Sequence, residues 1–315
     1  MAPSPERHAR DQRLGLWLGI LGVAVFGITL PATRLATGTA EAPQLSPWFV
    51  TLGRAALAGL LSAAFLLVTR SPLPQRHHWR PLAFATLGNA LGYPLLLALA
   101  LRTVTAGHAA VVTALLPLVT AVIAAMVLRQ RAHWGFWLCA VAGSALVIVF
   151  SLLRASPQGG FGLDPADLLL VGGVVAASAG YIYGAQVTPA LGAERVICWV
   201  CVLALPVTLP ATFFLWPTAP VAPVAWGGLV YLGVFSMWAG FFAWYRGLAL
   251  GGALRVSQAQ LLQPFFSILA AVPILGERID AMTLGFALAV VATVLLGKKL
   301  AQPPAAARPV TDRPL

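Results

Sequence analysis

Apolar runs of about 20 residues recur along most of the chain, separated by short polar segments. An α-helix of that length covers roughly 30 Å, the thickness of the hydrocarbon core of a bilayer. Only 9% of the residues are charged, whereas about a quarter are charged in a soluble domain. The runs also lack the alternating pattern of outer-membrane strands. The sequence therefore predicts an all-α integral membrane protein with ten transmembrane helices, at residues 14–33, 48–69, 80–101, 105–128, 133–153, 166–188, 195–215, 224–246, 254–275 and 279–297.

Two parts of the chain repeat the same landmarks at a constant separation. Pro117 and Pro264 each lie within an apolar run, and 264 − 117 = 147. The same separation relates Ala100-Leu101 to Gly247-Leu248, and residues 128–131 to residues 275–278. Self-similarity at a fixed offset indicates an internal duplication. We therefore divide the chain into an unstructured cytoplasmic tail, a five-helix repeat, a linker, a second five-helix repeat and a second cytoplasmic tail, at residues 1–13, 14–153, 154–165, 166–297 and 298–315.

The basic residues predict the orientation of these helices in the membrane. With a cytoplasmic N-terminus, fifteen Lys and Arg residues fall on the cytoplasmic side, and Arg54 lies inside a span. Only four fall on the outer side: Arg34, Arg102, Arg154 and Arg278. Since positive charge accumulates in cytoplasmic loops, both termini are predicted to be cytoplasmic. Five helices per repeat is an odd number, so the second repeat must be inverted relative to the first, with a substrate site expected between them near the midplane.

Further motifs accompany the duplication. The second repeat opens with Pro165-Ala166-Asp167, and its third helix opens with Tyr231-Leu232-Gly233 and ends in the run from 245 to 250. Its fourth helix ends in Leu275-Gly276-Glu277-Arg278, a motif from which the first repeat departs at Arg129 and Gln130. In this order the motifs resemble the drug/metabolite transporter superfamily with paired EamA-type repeats, over about residues 14–297. Within the superfamily the chain most resembles bacterial amino-acid exporters, in particular those of aromatic amino acids. The resemblance implies an alternating-access transporter of small solutes.

Neutral polar side chains inside the apolar runs are the candidate substrate contacts. Asn89 and Tyr93 share one helix face because they are four residues apart, and Gln260 and Gln263 share another. Such groups either line a shared cavity or make interhelical hydrogen bonds that serve packing. An aromatic stripe on the eighth span, which contains Trp238 and also Tyr245, fits either a cavity wall or a lipid-facing anchor. The predicted substrate-binding residues are Asn89, Tyr93, Ser178, Tyr181, Trp238, Gln260 and Gln263, and the predicted kink positions are Pro94, Pro117 and Pro264.

Ionisable residues within the apolar runs are few. None of the nine Asp and Glu residues lies at the centre of a run. Arg54 lies one to two turns into the second span. It is interpreted as an arginine that snorkels toward the outer surface, with a role in substrate contact as the alternative. His108 is interpreted as a hydrogen-bonded interfacial histidine. Because proton-coupled carriers commonly use an intramembrane carboxylate, the sequence predicts transport down the substrate gradient, without proton or sodium coupling.

Export of small solutes, above all aromatic and other neutral amino acids, is the leading functional hypothesis. One alternative is an organic-phosphate or nucleotide-sugar antiporter, which needs cationic residues in its cavity. Another is a proton-coupled drug exporter, which needs a membrane-embedded carboxylate. An enzyme would need convergent nucleophiles, acids or metal ligands, and the five histidines lie in tails, loops or span ends.

The expected partners follow from the same observations. The net charge of +11 is carried mainly between the apolar runs, where it sets topology, so nucleic acid is not an expected partner. We expect no metal and no cofactor. The predicted protein is a monomer in the bacterial inner membrane, in contact with the lipid bilayer and with an amino-acid substrate.

Overall fold

Helices account for nearly all of the regular structure. The computed structural model describes residues 5–127, 134–154, 165–251 and 257–301, and the residues in these ranges form helices and no strands. Up to residue 154 the α-helices are α1 (Pro5–Gly27), α2 (Thr29–Thr37), α3 (Pro47–Val68), α4 (Trp79–Ala85), α5 (Tyr93–Ala100), α6 (Ala106–Thr113), α7 (Leu116–Val127) and α8 (Trp134–Arg154). They continue with α9 (Pro165–Leu191), α10 (Ala193–Phe214), α11 (Pro223–Val230), α12 (Gly240–Gly251), α13 (Gln263–Leu275) and α14 (Ala281–Ala301).

Four shorter helical segments extend these helices. A 3₁₀ turn at Arg76–His78 leads into α4, and a second at Ser257–Leu262 leads into α13. Two π-helical segments, Thr86–Gly92 and Tyr231–Ala239, join α4 to α5 and α11 to α12. Each π segment therefore lies within a longer, continuous helix.

Six helical stretches in the described ranges are long and apolar enough to cross a membrane: Arg10–Thr37, Pro47–Val68, Arg76–Ala100, Pro165–Leu191, Ala193–Phe214 and Pro223–Trp244. Three further apolar helices are shorter, at Ala106–Thr120, Ala259–Leu275 and Ala281–Thr293. Large apolar side chains project outward from the bundle, with Leu67 77% and Phe214 89% exposed, as expected of a surface in contact with lipid. The structure is thus a multi-pass helical bundle, and the count of ten spans stays a prediction.

The predicted tails and linker are only partly described. Helix α1 begins at Pro5, so residues 5–13, predicted to be unstructured, are helical. Helix α14 extends to Ala301, four residues past the predicted end of the last span at 297. Residues 155–164 of the linker, and the first copy of the end-of-helix motif at 128–131, lie outside the described residues.

Prolines accompany changes of helical geometry in two of the long helical stretches. Pro31 has no N–H to donate to the carbonyl of Gly27, four residues earlier, and the chain breaks there between α1 and α2. The Ser267 hydroxyl donates to the Gly27 carbonyl at 2.7 Å instead. Pro94 is the second residue of α5, just after the first π segment, and π turns often mark functional positions in helices.

Glycines permit the closest helix contacts. A Cβ at Gly88 would lie 2.4 Å from the carbonyl oxygen of Ala176, so the first π segment packs directly on α9. A Cβ at Gly247 would lie 2.8 Å from the Gly15 carbonyl oxygen, so α12 packs equally closely on α1. Small residues at such interfaces are typical of membrane helices. The other main pairs are α3 with α10, α5 with α9, α6 with α13, and α8 with α14.

Candidate functional site

A cavity of about 500 Å³, including its open part, lies between helices from before residue 154 and helices from after residue 165. We call it the central cavity. Twelve residues line it, six from before residue 154 and six from after residue 165: Phe26, Thr29, Arg54, Asn89, Tyr93, Pro94, Tyr181, Ile197, Ser236, Met237, Phe241 and Gln263. The lining combines aromatic rings with a few polar groups, a mixture that is typical of small-molecule sites.

Four of the seven predicted substrate contacts line the central cavity, namely Asn89, Tyr93, Tyr181 and Gln263. Pro94, predicted as a kink, lines it too, beside the first π segment. Asn89 and Tyr93 were grouped because they share a helix face, and the π segment keeps them on the same wall. The cavity therefore brings together residues that are far apart in sequence.

Gln260 lines a smaller neighbouring space of about 260 Å³, which it shares with Gln263 and Pro264. The 3₁₀ turn before α13 separates Gln260 from Gln263, which lines both spaces. Pro264 occupies the first turn of α13, where the missing N–H is tolerated. Pro117 occupies the first turn of α7.

Ser178 and Trp238 are not among the residues that line the central cavity. The Ser178 hydroxyl accepts a hydrogen bond from Thr120 at 3.0 Å and donates to the Leu116 carbonyl at 3.4 Å, so it joins α9 to α7. The Trp238 ring packs at 4.8 Å from Phe242 and 6.5 Å from Phe65. Both side chains therefore make contacts between helices, and their predicted role at the substrate stays a prediction.

Arg54 lines the central cavity, and the interpretation of Arg54 as a snorkelling residue is wrong. Arg54 is only 5% exposed, and its Nη2 donates to Ser236 Oγ at 3.0 Å. Ser236 Oγ also lies 2.8 Å from Thr29 Oγ1. The three side chains come from α3, the second π segment and α2. Their hydrogen bonds thus join helices from before residue 154 to a helix from after residue 165 at the wall of the cavity.

The position of Ser236 in the cavity could have been predicted from the duplication. Its separation from Asn89 is 236 − 89 = 147, the offset of the duplication. The two residues thus occupy equivalent positions in the two π segments, and both line the cavity. Thr29 and Arg54 carried no comparable signal, because nothing local in the sequence shows that they meet Ser236.

Gly180 positions Asn89. A Cβ at Gly180 would lie 2.5 Å from Asn89 Oδ1, so only glycine leaves room for the amide. Asn89 Oδ1 is buried and has no hydrogen-bond partner. A buried amide oxygen of this kind is costly unless a ligand or water donates to it.

A second polar cluster, which we call the outer cluster, joins residues of three predicted outer loops. The Glu277 carboxylate accepts hydrogen bonds from the backbone N–H groups of Ala106 at 2.9 Å and Gly107 at 3.1 Å. A carboxylate at this position stabilises the N-terminus of α6. Arg34 Nε lies 3.8 Å from Glu277, and Arg34 Nη1 donates to the Leu101 carbonyl at 2.9 Å.

The outer cluster explains the end-of-helix motif at residues 275–278. Gly276 follows α13 in the left-handed conformation, with φ 69° and ψ 17°, which glycine adopts without strain. The chain turns there and directs Glu277 onto α6. The motif is therefore a helix end combined with a contact between α13 and α6.

His108 and Asp167 form a buried pair, with Nε2 and Oδ1 separated by 2.6 Å. Both residues are less than 8% exposed, and Asp167 Oδ2 is buried without a hydrogen-bond partner. The sequence predicted a hydrogen-bonded histidine at 108, but it placed Asp167 only at a span end. The pair links the first turn of α9 to α6.

The chemical groups of the central cavity are suited to binding a solute. Within the described residues, no group of three or more His, Cys, Asp or Glu side chains is placed to hold a metal ion. The lining of the central cavity combines aromatic and aliphatic side chains with amide, hydroxyl and guanidinium groups. These groups bind and orient a small molecule.

Comparison with known proteins gives the family. A model of the EamA-like transporter family matches residues 13–152 and again residues 164–297. The chain is 39% identical over 289 residues to the "Uncharacterized transporter YdeK" of Bacillus subtilis (strain 168), covering 91% of this chain and 98% of that protein. It is 26% identical over 295 residues to a "Probable terminal-alkyne amino-acid exporter" of Streptantibioticus cattleyicolor, covering 90% and 93%.

One solved crystal structure superposes with a TM-score of 0.61 over 91% of this chain and 97% of that chain, at 19% identity, and so shares the fold. The predicted resemblance to the drug/metabolite transporter superfamily is confirmed by the two family matches and by the relatives. The chain belongs to the EamA-like transporter family and is a multi-pass membrane transporter with two EamA repeats.

Proposed function

We propose that this transporter exports aromatic and other neutral amino acids by alternating access, through the central cavity. The observation that carries the proposal is the composition of that cavity. It is lined equally from both repeats by aromatic and aliphatic side chains, with four neutral polar residues at Thr29, Asn89, Ser236 and Gln263. Such a lining suits a small molecule with a polar head group and a large apolar side chain.

The packing supports ten spans arranged as two inverted repeats. If the repeats are equivalent, α1 corresponds to α9, α3 to α10, α4 and α5 to α11 and α12, and α8 to α14. The contact of α1 with α12 is then the counterpart of the contact of α9 with α5, while α3–α10 and α8–α14 join each helix to its own counterpart. This is the pattern of a two-fold axis between the repeats, which inverted-repeat transporters use to alternate between two states.

The positive-inside distribution supports an inner-membrane protein with both termini in the cytoplasm. In this orientation the outer cluster of Arg34 and Glu277 lies on the outer face. It holds α2, α6 and α13 together, and so favours a state closed on that side. Opening outward then requires these contacts to separate.

Amino-acid export is also consistent with the relative from Streptantibioticus cattleyicolor, whose name describes an amino-acid exporter. Transport runs down the substrate gradient, since among the described residues that line the cavity none is a carboxylate. The protein acts as a monomer, with the bilayer and its substrate as partners.

Proton-coupled export is the second candidate, and one observation favours it. The buried His108–Asp167 pair contains a carboxylate oxygen without a hydrogen-bond partner, and buried acids in membrane proteins commonly serve proton transfer. In that case transport requires a pH gradient and is lost in Asp167→Asn. In the first candidate, Asp167→Asn changes stability but leaves uncoupled transport measurable.

A panel of ligands tests the substrate class. The purified full chain in detergent is heated with neutral amino acids, nucleotide sugars or tetraphenylphosphonium, and its unfolding temperature is measured. Ligands that bind the folded state raise this temperature, and we expect a rise with phenylalanine and other neutral amino acids. A rise with nucleotide sugars or tetraphenylphosphonium alone contradicts the proposal.

A further inference from the structure

Arg54 is a buried cation that faces a cavity. It is 5% exposed, and its one recorded hydrogen bond runs from Nη2 to Ser236. Arg54 Nε is buried without a hydrogen-bond partner. Within the described ranges no carboxylate lies within 4 Å of the guanidinium in an ion pair. A guanidinium carries five N–H donors. In the described part of the chain, none of the Arg54 donors forms an ion pair with a protein carboxylate.

A buried charge without a counter-ion is strongly unfavourable in a membrane protein. The surroundings of Arg54 offer only partial compensation, since Ser236 is a neutral acceptor that is also paired with Thr29. A ligand that brings its own negative charge removes this penalty. We propose that Arg54 binds the carboxylate of the transported substrate, so that the transporter selects molecules bearing a carboxylate. The inference rests on the proposed function and names the part of the substrate that the site recognises.

The charge of the lining limits the ligand to a single negative group. Arg54 is the one Lys or Arg among the described residues that line the central cavity. A phosphate ester carries between one and two negative charges near neutral pH, and its binding sites use several cations or a bidentate arginine with further donors. One arginine among neutral side chains therefore fits a carboxylate better than an organic phosphate.

A complementary acceptor lies in the same cavity. Asn89 Oδ1 is buried, lines the cavity and has no hydrogen-bond partner. An amide oxygen accepts a hydrogen bond from an ammonium group, while the guanidinium donates to a carboxylate. The pair Arg54 and Asn89 thus provides one donor site and one acceptor site, which matches the head group of an amino acid. Phe26, Met237 and Phe241 provide an apolar surface for its side chain.

Three small molecules separate these contributions. L-Phenylalanine has both head groups, L-phenylalaninamide lacks the carboxylate, and 3-phenylpropanoate lacks the ammonium group. Their dissociation constants are measured by calorimetry on the purified full chain in nanodiscs, at constant pH and salt. A hydrogen bond to a charged group corresponds to a preference of about tenfold to a hundredfold, and we expect phenylalanine to bind that much more tightly than its amide.

Three variants test whether Arg54 causes the preference for phenylalanine over its amide: Arg54→Gln, Arg54→Lys and Arg102→Gln. Arg54→Gln should bind phenylalanine and its amide roughly equally, and Arg54→Lys should restore part of the difference. Arg102→Gln is the matched control, since Arg102 lies between α5 and α6 and is not among the cavity-lining residues. It should keep the preference of the unmodified protein.

Two results overturn the proposal. One is equal binding of phenylalanine and its amide by the unmodified protein, which requires no variant to fold. The other is an Arg54→Gln protein that retains the full preference. Binding of 3-phenylpropanoate without binding of phenylalanine supports Arg54 as the carboxylate site but contradicts amino-acid export, so the two proposals fail separately.

Discussion

Nη2 of Arg54 lies 3.0 Å from Oγ of Ser236, and this hydrogen bond joins two positions that are 182 residues apart. Arg54 belongs to the first EamA repeat and Ser236 to the second. Ser236 occupies the position equivalent to Asn89, which lines the same cavity. The central cavity is thus built at the contact of the two repeats.

The cavity assignment predicts which substitutions impair transport. Asn89→Ala, Tyr93→Ala and Gln263→Ala each remove a polar group from the central cavity and should lower kcat/KM about tenfold or more, as expected for loss of one hydrogen bond to a charged group. Gln260→Ala should have a smaller effect, because Gln260 lines the neighbouring space. The rates are measured in proteoliposomes.

Ser178→Ala is the matched control for these substitutions, since Ser178 joins α9 to α7 away from the cavity. It should leave KM unchanged. Normal transport in all three cavity variants, with normal amounts of folded protein, would mean that these side chains serve packing alone.

Gly180→Ala tests the positioning of Asn89. The added methyl group would lie 2.5 Å from Asn89 Oδ1, so the amide must move and substrate affinity should fall. Gly172→Ala on the same helix meets only Leu96 Cδ1 at 3.5 Å, an ordinary contact, and should keep its affinity. The affinities are compared by ligand-dependent thermal shift, and an unchanged Gly180→Ala protein contradicts the role of Gly180.

Part of this structure could be predicted because it depends on local features of the sequence, such as the length of apolar runs and the spacing of polar residues. Run length alone predicted the helices, and the four-residue spacing of Asn89 and Tyr93 placed both on one wall of the cavity. The burial of Arg54 depends on Ser236, which no local pattern connects to it. The hydrogen bond between Thr120 and Ser178 was not predicted for the same reason, because the two residues lie on different helices.

Departures from α-helical geometry explain a further difference. The spacing of Gln260 and Gln263 was read as one α-helical face, but Ser257–Leu262 forms a 3₁₀ turn. Likewise the π segment Tyr231–Ala239 changes the register of the aromatic stripe, so that Phe241 lines the cavity while Trp238 packs on Phe65. The side chain of Tyr245 lies outside the described residues.

The outer cluster predicts a stability effect at Glu277. Glu277→Ala removes the carboxylate that accepts from the N–H groups of Ala106 and Gly107. Charge-assisted hydrogen bonds of this kind contribute about 2 kcal/mol, so the free energy of unfolding should fall by roughly that amount. The neighbouring change Arg278→Ala, at an exposed side chain, should have little effect. Equal unfolding curves for the two variants contradict the capping role of Glu277.

Single cysteines test the predicted topology. In a background where Cys139, Cys198 and Cys201 are replaced, cysteines at Ser71 and Arg195 should react only with reagent supplied from the cytoplasmic side. Cysteines at Ala42 and Ala219, both exposed, should react only from outside. Labelling of position 219 from the cytoplasm is incompatible with ten spans and an inverted second repeat.

Counterflow tests the proposed amino-acid transport most directly. Liposomes containing the purified full chain are loaded with unlabelled phenylalanine and diluted into labelled phenylalanine, at equal pH on both sides, without sodium and with a protonophore. Because exchange through an uncoupled carrier needs no ion gradient, labelled phenylalanine should accumulate transiently inside, and Asn89→Ala should reduce the accumulation. Absence of labelled uptake contradicts amino-acid transport, and uptake that appears only under an imposed pH gradient and disappears in Asp167→Asn contradicts uncoupled export.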